Sequence, residues 1–289
     1  MKSYLDCVPC FVRQGLDACR MITTDEQEIR RLLPRILVTI AGADLDQPPP
    51  VLVRAMHRVI REELRSPDPY RALKKKSTEK ALSLVPDAER LIDASDNPFA
   101  AAVRFAIAGN ILDFGAKTEW SESRVRDSFA KALEVSLADD HTDELHTRLK
   151  SAKTVLVLGD NAGEAVFDRL LMERFPGSAQ VYYAVKGSPV INDVTKEDAI
   201  EAGIATVAEI VDNGTDIPGT HLPATSKQFR ELFFSADVVI SKGQGNFETL
   251  LDEDRDIFCI LQIKCESLAK RNNRSLGDWV VTKTGKGVQ

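Results

Sequence analysis

The sequence predicts an α/β protein in which a mainly parallel sheet, covered by helices on both faces, follows an N-terminal helical region. Two observations carry this prediction. From about residue 9 to residue 150 the apolar residues recur at helical spacing, and from Thr154 onward short β-branched runs alternate with helical stretches. Strands joined by crossover helices form parallel βαβ units, so the second half predicts a sheet buried on both faces.

The first half is expected to form a helical domain over residues 1–150. Pro48, Pro49 and Pro50 interrupt its helical pattern, and no strand of useful length is expected there. The main helical segments are predicted at residues 29–40, 51–64, 81–92 and 100–114.

The second half, residues 151–289, is expected to form the catalytic α/β domain. Its strands are predicted at residues 154–158, 180–185, 205–211, 237–240, 257–263 and 279–282. Helices are predicted between them at residues 165–175, 196–202, 227–234 and 247–251. Ligands of such folds bind beyond the carboxyl ends of the parallel strands, which directs attention to the loops that follow them.

Bulk properties exclude several functional classes. A net charge of −6 over 289 residues argues against unspecific nucleic-acid binding, and the run Lys74, Lys75, Lys76 is expected to be a solvated helix face. No stretch approaches the ~18 uncharged apolar residues of a membrane span, and the N-terminus has no apolar signal core. Five cysteines in a chain of this length favour free thiols in the cytoplasm, and the oligomeric state stays open.

Three predicted strands are followed by polar loops. After the first, Asp160 and Asn161 offer oxygen donors of the kind that Mg²⁺ or Mn²⁺ prefers. A plain structural alternative is that Asn161 is a helix N-cap and Glu164 completes a variant capping box. After the second strand, Thr195 with Asp198 is the expected helix cap. Asn192 and Asp193 are therefore not needed for capping, which favours a functional role for them.

The third loop follows the strand at residues 237–240. Gly243 and Gly245 would allow a ligand to approach the backbone closely, and Lys242 would neutralise a phosphate oxygen. A nucleotide-binding loop is the rival interpretation, but the third small residue of that fingerprint is missing. Because all three loops follow parallel strands, we expect them to meet at one edge of the sheet, where they would hold a divalent cation and an anion.

Two further features concern the first half. Asn110 and Asp113 lie three residues apart on a predicted helix face, and either a structural hydrogen bond or a substrate contact would explain them. Cys7 and Cys10 form a lone CxxC, with Cys265 a possible third thiol. A Cys₄ zinc site or a thioredoxin motif is not expected from this spacing.

Five segments together resemble the damage-control phosphatase family, long called domain of unknown function 89 and related to the acidic-residue methyltransferase group. Three segments are the loops after the strands, namely GDNAGE, KGSPVINDVT and SKGQGNFE. The segment AGNILDFG contains Asn110 and Asp113, and CVPCFVRQ contains Cys7 and Cys10. The N-terminal CxxC is similar to the mainly prokaryotic branch. The resemblance implies a Rossmann-like three-layer αβα domain preceded by a helical part.

The resemblance also implies an activity and a set of site residues. Members hydrolyse small phosphorylated metabolites, such as sugar phosphates and damaged cofactor precursors, with Mn²⁺, Co²⁺, Ni²⁺ or Mg²⁺. Carried over by motif, the metal ligands are Asp160, Asn161 and Asp193. The phosphate-contacting lysine falls on Lys242 with Asn246 beside it, and the helix motif falls on Asn110 and Asp113.

The expected function is therefore metal-dependent phosphatase activity. Asp160 and Lys242 would act in catalysis and Glu164 would position the attacking water, while Asn192, Gly243 and Asn246 would contact the substrate. Whether an aspartyl-phosphate forms is left open. Two alternatives remain at this stage: an adenosylmethionine-dependent methyltransferase, and a non-catalytic metabolite or metal sensor.

Overall fold

The computed structural model describes residues 1–111 and 131–285. Its centre is a seven-stranded sheet in which every neighbouring pair of strands is parallel except β6 and β7. The strands are β1 Leu137–Asp140, β2 Thr154–Leu158, β3 Gln180–Val185, β4 Glu209–Asp212, β5 Val238–Lys242, β6 Ile257–Gln262 and β7 Trp279–Thr284. They lie in the order β1-β7-β6-β5-β2-β3-β4.

Helices cover both faces of this sheet. In residues 1–111 the helices are α1 Cys7–Ile22, α2 Glu26–Ala41, α3 Pro49–Glu63, α4 Arg71–Ser83, α5 Val85–Asp93 and α6 Pro98–Ile111. The helices among the strands are α7 Thr142–Ser151, α8 Ala165–Met172, α9 Lys196–Glu201, α10 Lys227–Ser235, α11 Gly243–Leu250 and α12 Glu266–Arg271.

Strand β2 shows how the sequence produces a three-layer structure. Val155 and Val157 pack into one core with Phe167, whereas Leu156 and Leu158 pack into a second core on the opposite face. Successive strand residues point to opposite faces, so a strand that is apolar throughout must be covered on both sides. The predicted α/β class is confirmed.

Ion pairs connect the helical first half to the loops and helices that flank the sheet. Asp216, in the loop after β4, accepts hydrogen bonds from Arg54 at 2.5 Å, Arg58 at 2.8 Å and Arg61 at 2.7 Å. Although burial raises its pKa, these three guanidinium groups hold the pKa of Asp216 well below its usual value. Lys74 is likewise buried and donates to Asp198 at 2.8 Å, so its predicted solvated position was wrong.

Several element boundaries differ from the prediction. The helix predicted at residues 81–92 is two helices that break at Leu84, where Val85 and Pro86 begin α5. The prediction of no strand in the first half was wrong, because Leu137 of β1 pairs with Trp279 of β7. The domain boundary at residue 150 stays a prediction, and the predicted residues 112–114 lie outside the described part.

The strand order reverses between β2 and β5, the point at which β3 and β4 extend one way and β6 extends the other. At such a switch point the crossovers leave on opposite faces, and a crevice opens beyond the carboxyl ends of the two strands. No helix in the described residues combines the length and the apolarity needed to cross a bilayer.

Candidate active site

A cavity of about 320 Å³ lies at this switch point, beyond the carboxyl ends of β2 and β3. Its polar lining comes from both halves of the chain and includes Lys74, Asn110, Asp160, Asn161, Glu164, Asn192, Asp193, Gln244 and Lys264. Four of the predicted substrate or catalytic residues and all three predicted metal ligands therefore lie in the wall of one cavity.

Asp160 enters this cavity directly after β2. The preceding residue, Gly159, has no room for a side chain. A Cβ there would lie 2.6 Å from the hydroxyl oxygen of Tyr183. The carboxylate Oδ2 of Asp160 accepts hydrogen bonds from Asn110 Nδ2 at 2.6 Å and Asn161 Nδ2 at 2.9 Å. Burial, together with the nearby charges of Glu164 and Asp193, raises the pKa of Asp160 well above its usual value.

Asp193 reaches the same cavity from the loop after β3. The two loops are joined through their backbones, since Val194 N donates to Asp160 O at 2.8 Å and Ala162 N donates to Asn192 O at 3.0 Å. Lys186 Nζ lies 3.5 Å from the Asp193 carboxylate. Burial nevertheless outweighs that lysine, and the pKa of Asp193 is raised.

Asn161 and Glu164 do not form the capping arrangement considered from sequence. Glu164 itself occupies the N-cap position of α8 and makes no side-chain cap bond. Asn161 Nδ2 donates to the carboxylates of Asp160 and Glu164, at 2.9 and 3.2 Å. Within the described residues no hydrogen bond reaches Asn161 Oδ1, which leaves that oxygen available to a ligand. The cap predicted at Thr195 is present, with Asp198 completing a capping box.

Lys242 lies beneath the cavity instead of in its wall. Its side chain is fully buried, and its Nζ donates to Glu164 Oε1 at 2.6 Å, Asp168 Oδ1 at 2.5 Å and the Ala106 carbonyl at 3.1 Å. Burial lowers the pKa of the lysine, but the carboxylates of Asp168 and Glu164 more than compensate and raise it. The predicted contact of Lys242 with phosphate stays a prediction, and the observed arrangement gives it no support.

Asp168 is the partner of Lys242 that the sequence did not reveal. Its Oδ2 accepts from the Tyr183 hydroxyl at 2.8 Å. Burial raises the pKa of Asp168 to about 6, although Lys242 acts in the opposite direction. Helical spacing could have identified it, because Asp168 comes four residues after Glu164 and therefore lies on the same face of α8.

Asn246 and Gly243 are used inside the protein. Asn246 is fully buried; its Nδ2 donates to the carbonyls of Gly159 at 3.0 Å and Lys242 at 2.8 Å, and its Oδ1 accepts from Thr220 at 2.7 Å. Gly243 has φ +75°, and a Cβ at that position would overlap the Asp160 carboxylate. Both residues hold the β2 and β5 loops together, and their predicted substrate contacts stay predictions.

Lys264 supplies the cation that sequence reasoning missed. It follows β6 in the cavity wall, and its Nζ donates to the Asn110 carbonyl at 2.8 Å. Its charge opposes the rise in the pKa of Asp160. The rule that selected the other loops could have found it, since Lys264 comes directly after the strand predicted at residues 257–263.

Asn110 links these groups from helix α6. Its Nδ2 donates to both Asp160 and Glu164, at 2.6 and 2.5 Å, whereas its buried Oδ1 has no partner among the described residues. A buried polar atom without a partner costs free energy, so it is expected at a site that a ligand completes. Asp113, predicted to share this helix face, lies outside the described residues.

No group of three or more His, Cys, Asp or Glu side chains in the described residues is arranged to hold a metal ion. The predicted ligand set differs from such a group, because it combines two carboxylates with one carboxamide. The cysteines are all free thiols, and burial raises the pKa values of Cys7, Cys10 and Cys265. Protonated thiols favour neither zinc binding nor thioredoxin-type exchange.

The fold and the site define the class first: a Rossmann-like α/β protein with an acid-rich cavity at the switch point of a mainly parallel sheet. The chain belongs to the family described as damage-control phosphatase ARMT1-like domain, which matches residues 3–280. The family suggested by the five sequence segments is thus confirmed.

Individual relatives agree with this assignment. A damage-control phosphatase of Pyrococcus horikoshii is 33% identical over 275 residues, covering 93% of this chain and 94% of the relative. One from Archaeoglobus fulgidus is 31% identical over 279 residues, covering 95% and 96%. The crystal structure of a DUF89 family protein from Pyrococcus horikoshii has a TM-score of 0.92 at 32% identity and covers 98% of this chain and 99% of that one. The phosphatase class is supported, and the methyltransferase alternative gains no support.

Proposed function

We propose that this phosphatase uses one divalent cation, held by Asp160, Asn161 and Asp193, to hydrolyse phosphomonoesters of small metabolites. The observation that carries the proposal is the pair of buried carboxylates that two adjacent loops place in one cavity. Among the described residues no lysine or arginine nitrogen lies within ion-pair distance of Asp160. A cation in the cavity would compensate this negative charge.

The residues present fit a hard divalent cation. Their donor atoms are carboxylate and carboxamide oxygens, which suit Mg²⁺ and Mn²⁺ and which Co²⁺ and Ni²⁺ also accept. Asn161 Oδ1, which accepts no hydrogen bond from the described part of the chain, and the cavity position of Asp193 support this set. The raised pKa values of Asp160 and Asp193 support it as well. Among the residues that the structure describes, neither a histidine nor a thiol lines this cavity, and the donor set therefore does not favour zinc.

The phosphate of the substrate is assigned to the side of the cavity where Lys264 lies. Among the described residues the lysines that line this cavity are Lys74 and Lys264. Lys74 is paired with Asp68 and Asp198, and Lys242 below the cavity is held by Glu164 and Asp168. Lys264 forms no ion pair within the described residues and donates to the Asn110 carbonyl, so it is the cation left for a phosphate. In phosphoryl transfer the negative charge is spread over the equatorial oxygens, so a lysine beside them lowers the barrier.

Hydrolysis requires that water attack phosphorus, that the ester P–O bond break, and that the leaving alcohol gain a proton. The bound cation would polarise the phosphoryl oxygens. Glu164 is held by Lys242 on one oxygen and by Asn110 and Asn161 on the other, so its orientation is fixed. This fixed carboxylate is the group that we assign to orienting the attacking water.

The decisive experiment is a screen of phosphorylated metabolites on metal-stripped protein, with Mn²⁺, Co²⁺, Ni²⁺ and Mg²⁺ supplied in turn. We expect phosphate release to require an added cation and calorimetry to show one cation site per chain. Activity that persists in the metal-stripped protein would overturn the metal assignment. Cation binding without turnover of any ester would instead indicate a sensor.

A further inference from the structure

A second, larger cavity of about 600 Å³ opens beside the first. It lies between the N-terminal ends of α1 and α3 on one side and helices α11 and α12 on the other, with Cys7, Phe11, Pro50, Val53, Glu248 and Cys265 in its wall. Gln14, Ile191, Pro218, Gln244 and Gly245 line both cavities. Since five residues are shared, the two cavities are neighbouring compartments of one site.

The chemistry of the second cavity differs from that of the first. Phe11, Pro50 and Val53 are apolar, and the thiols of Cys7 and Cys265 are protonated at neutral pH because burial raises their pKa values. These groups favour an uncharged ligand surface.

Charge in the second cavity also argues against a second anion. Lys270 is the one basic side chain in its described wall, and it lies 3.6 Å from Glu266, with both side chains largely exposed. Asp6, Glu248 and Glu266 line the same cavity. The buried Met1 ammonium also lines this cavity, but it donates to the Glu248 carbonyl at 2.7 Å and lies 3.3 Å from Asp252, so its charge is already compensated. A ligand group with a negative charge would therefore meet repulsion from the carboxylates in the wall.

Gln244 connects the two compartments. Its Oε1 accepts from the backbone N–H of Lys264 at 2.9 Å, next to the proposed phosphate position. Its Nε2 donates to Glu248 Oε1 at 2.7 Å and contacts Cys265 Sγ at 3.6 Å in the second cavity. Within the described residues Glu248 Oε2 makes no hydrogen bond, so it can accept one from a ligand.

We propose that the second cavity binds the alcohol portion of the substrate, and that this portion is an uncharged, partly apolar group carrying a hydroxyl or amide donor for Glu248. The inference rests on the proposed phosphatase function and narrows its substrate class. It places substrate selection on the N-terminal helices, because α1 and α3 supply Phe11, Pro50 and Val53.

Three phosphomonoesters of matched length test the charge preference: 6-hydroxyhexyl phosphate, hexyl phosphate and 5-carboxypentyl phosphate. We expect kcat/KM to fall in that order, with at least a tenfold difference between the first and the last. Glycerol phosphate serves as a short ester that occupies only the first cavity. Equal kcat/KM for the three long esters, or a preference for the carboxylate, would overturn the proposal.

Filling the second cavity tests its position. Cys10, an exposed residue of α1, also lines the second cavity. Cys10→Trp is expected to lower kcat/KM for 6-hydroxyhexyl phosphate at least tenfold while leaving glycerol phosphate within twofold. Val53→Phe, on α3, should have the same selectivity and serves if Cys10→Trp does not fold. Met21→Trp is the matched control, because Met21 lies on α1 at 43% exposure and outside the cavity wall.

The outcomes separate the two proposals. If the wild-type chain releases phosphate from no ester with any of the four cations, the proposed function fails and this inference falls with it. If it cleaves glycerol phosphate but chain length, terminal charge and Cys10→Trp make no difference, only the second cavity's role is refuted. A loss of activity on long and short esters alike would mean that the substitution disturbs the first cavity.

Discussion

The loops after β2 and β3 differ from the end of β5 in how they use their charged residues. Asp160 and Asp193 line the cavity, whereas Lys242 is buried beneath it between Glu164 and Asp168. All belong to the same edge of the same sheet. The comparison shows that a position after a parallel strand places a residue near the cavity. The direction of its side chain then decides whether the residue lines the cavity or is buried below it.

The physical reason is the alternation of side chains along a strand. Lys242 is the last residue of β5 and points to the same face as Val238 and Ile240. Those two residues belong to the core that contains α6 and α8. The Lys242 side chain therefore points toward Ala106 and Asp168, and the Asp168 carboxylate neutralises its charge.

The largest effect is expected for Asp160→Asn, which keeps the shape of the side chain and removes its charge. Metal-dependent release of phosphate should fall about 10³-fold or more, because a cation ligand and a charge that orients the reaction are both lost. Phosphate assays and Mn²⁺ calorimetry on the variant check this. Asp46→Asn, at a highly exposed carboxylate, is the control. Retained activity in Asp160→Asn would discard the site.

Lys242→Met tests the other side of the comparison. It leaves Glu164 and Asp168 buried without their cation, which should lower the free energy of unfolding by about 3–5 kcal/mol. Urea denaturation measures the loss, and the double variant Lys242→Met/Asp168→Leu should recover part of it. Lys227→Met, at an exposed lysine, is the control. A variant with unchanged stability but no activity would show that the ammonium acts on substrate.

Glu248→Gln extends the comparison to a buried carboxyl group that, among the described residues, forms no ion pair with a lysine. Burial raises its pKa from 4.5 to about 7, so the folded protein holds this proton more tightly than the unfolded chain does. Ionisation then destabilises the fold as pH rises through that interval. At pH 8 the variant should be more stable than the wild type by about 2–3 kcal/mol.

The pKa shift of Glu248 also predicts the pH at which the stability difference between variant and wild type disappears. Below pH 4.5 Glu248 is protonated in both states, so the unfolding free energies of variant and wild type should converge. Denaturation curves at pH 4, 6 and 8 measure this trend. Glu266→Gln, at an exposed carboxylate, is the matched control. A stability difference between variant and wild type that stays constant from pH 4 to pH 8 would contradict the raised pKa of Glu248.

The smallest effect is expected for Lys264→Met. Loss of a cation beside the phosphate should lower kcat/KM about tenfold, which corresponds to about 1.4 kcal/mol. Stability should change little, since the lysine is not enclosed by acids and donates one hydrogen bond, to the Asn110 carbonyl. Lys264→Arg should restore part of the activity. Wild-type kinetics in Lys264→Met would move the phosphate position elsewhere.

The sequence by itself determined the α/β class, the bounds of β2 and β3, and the cavity position of Asp160 and Asp193. These follow from local signals, namely apolar periodicity and the loop that comes after a strand. The family assignment also needed only the order of short segments, and the match over residues 3–280 bears it out.

Only the tertiary structure decided which charged residues neutralise one another. The pairing of Lys242 with Asp168, the approach of Lys264 to Asn110 and the addition of β1 beside β7 all join residues distant in the chain. The second cavity likewise arises where α1 and α3 meet α11 and α12. Burial and charge compensation depend on such distant neighbours, and no local pattern in the sequence encodes them.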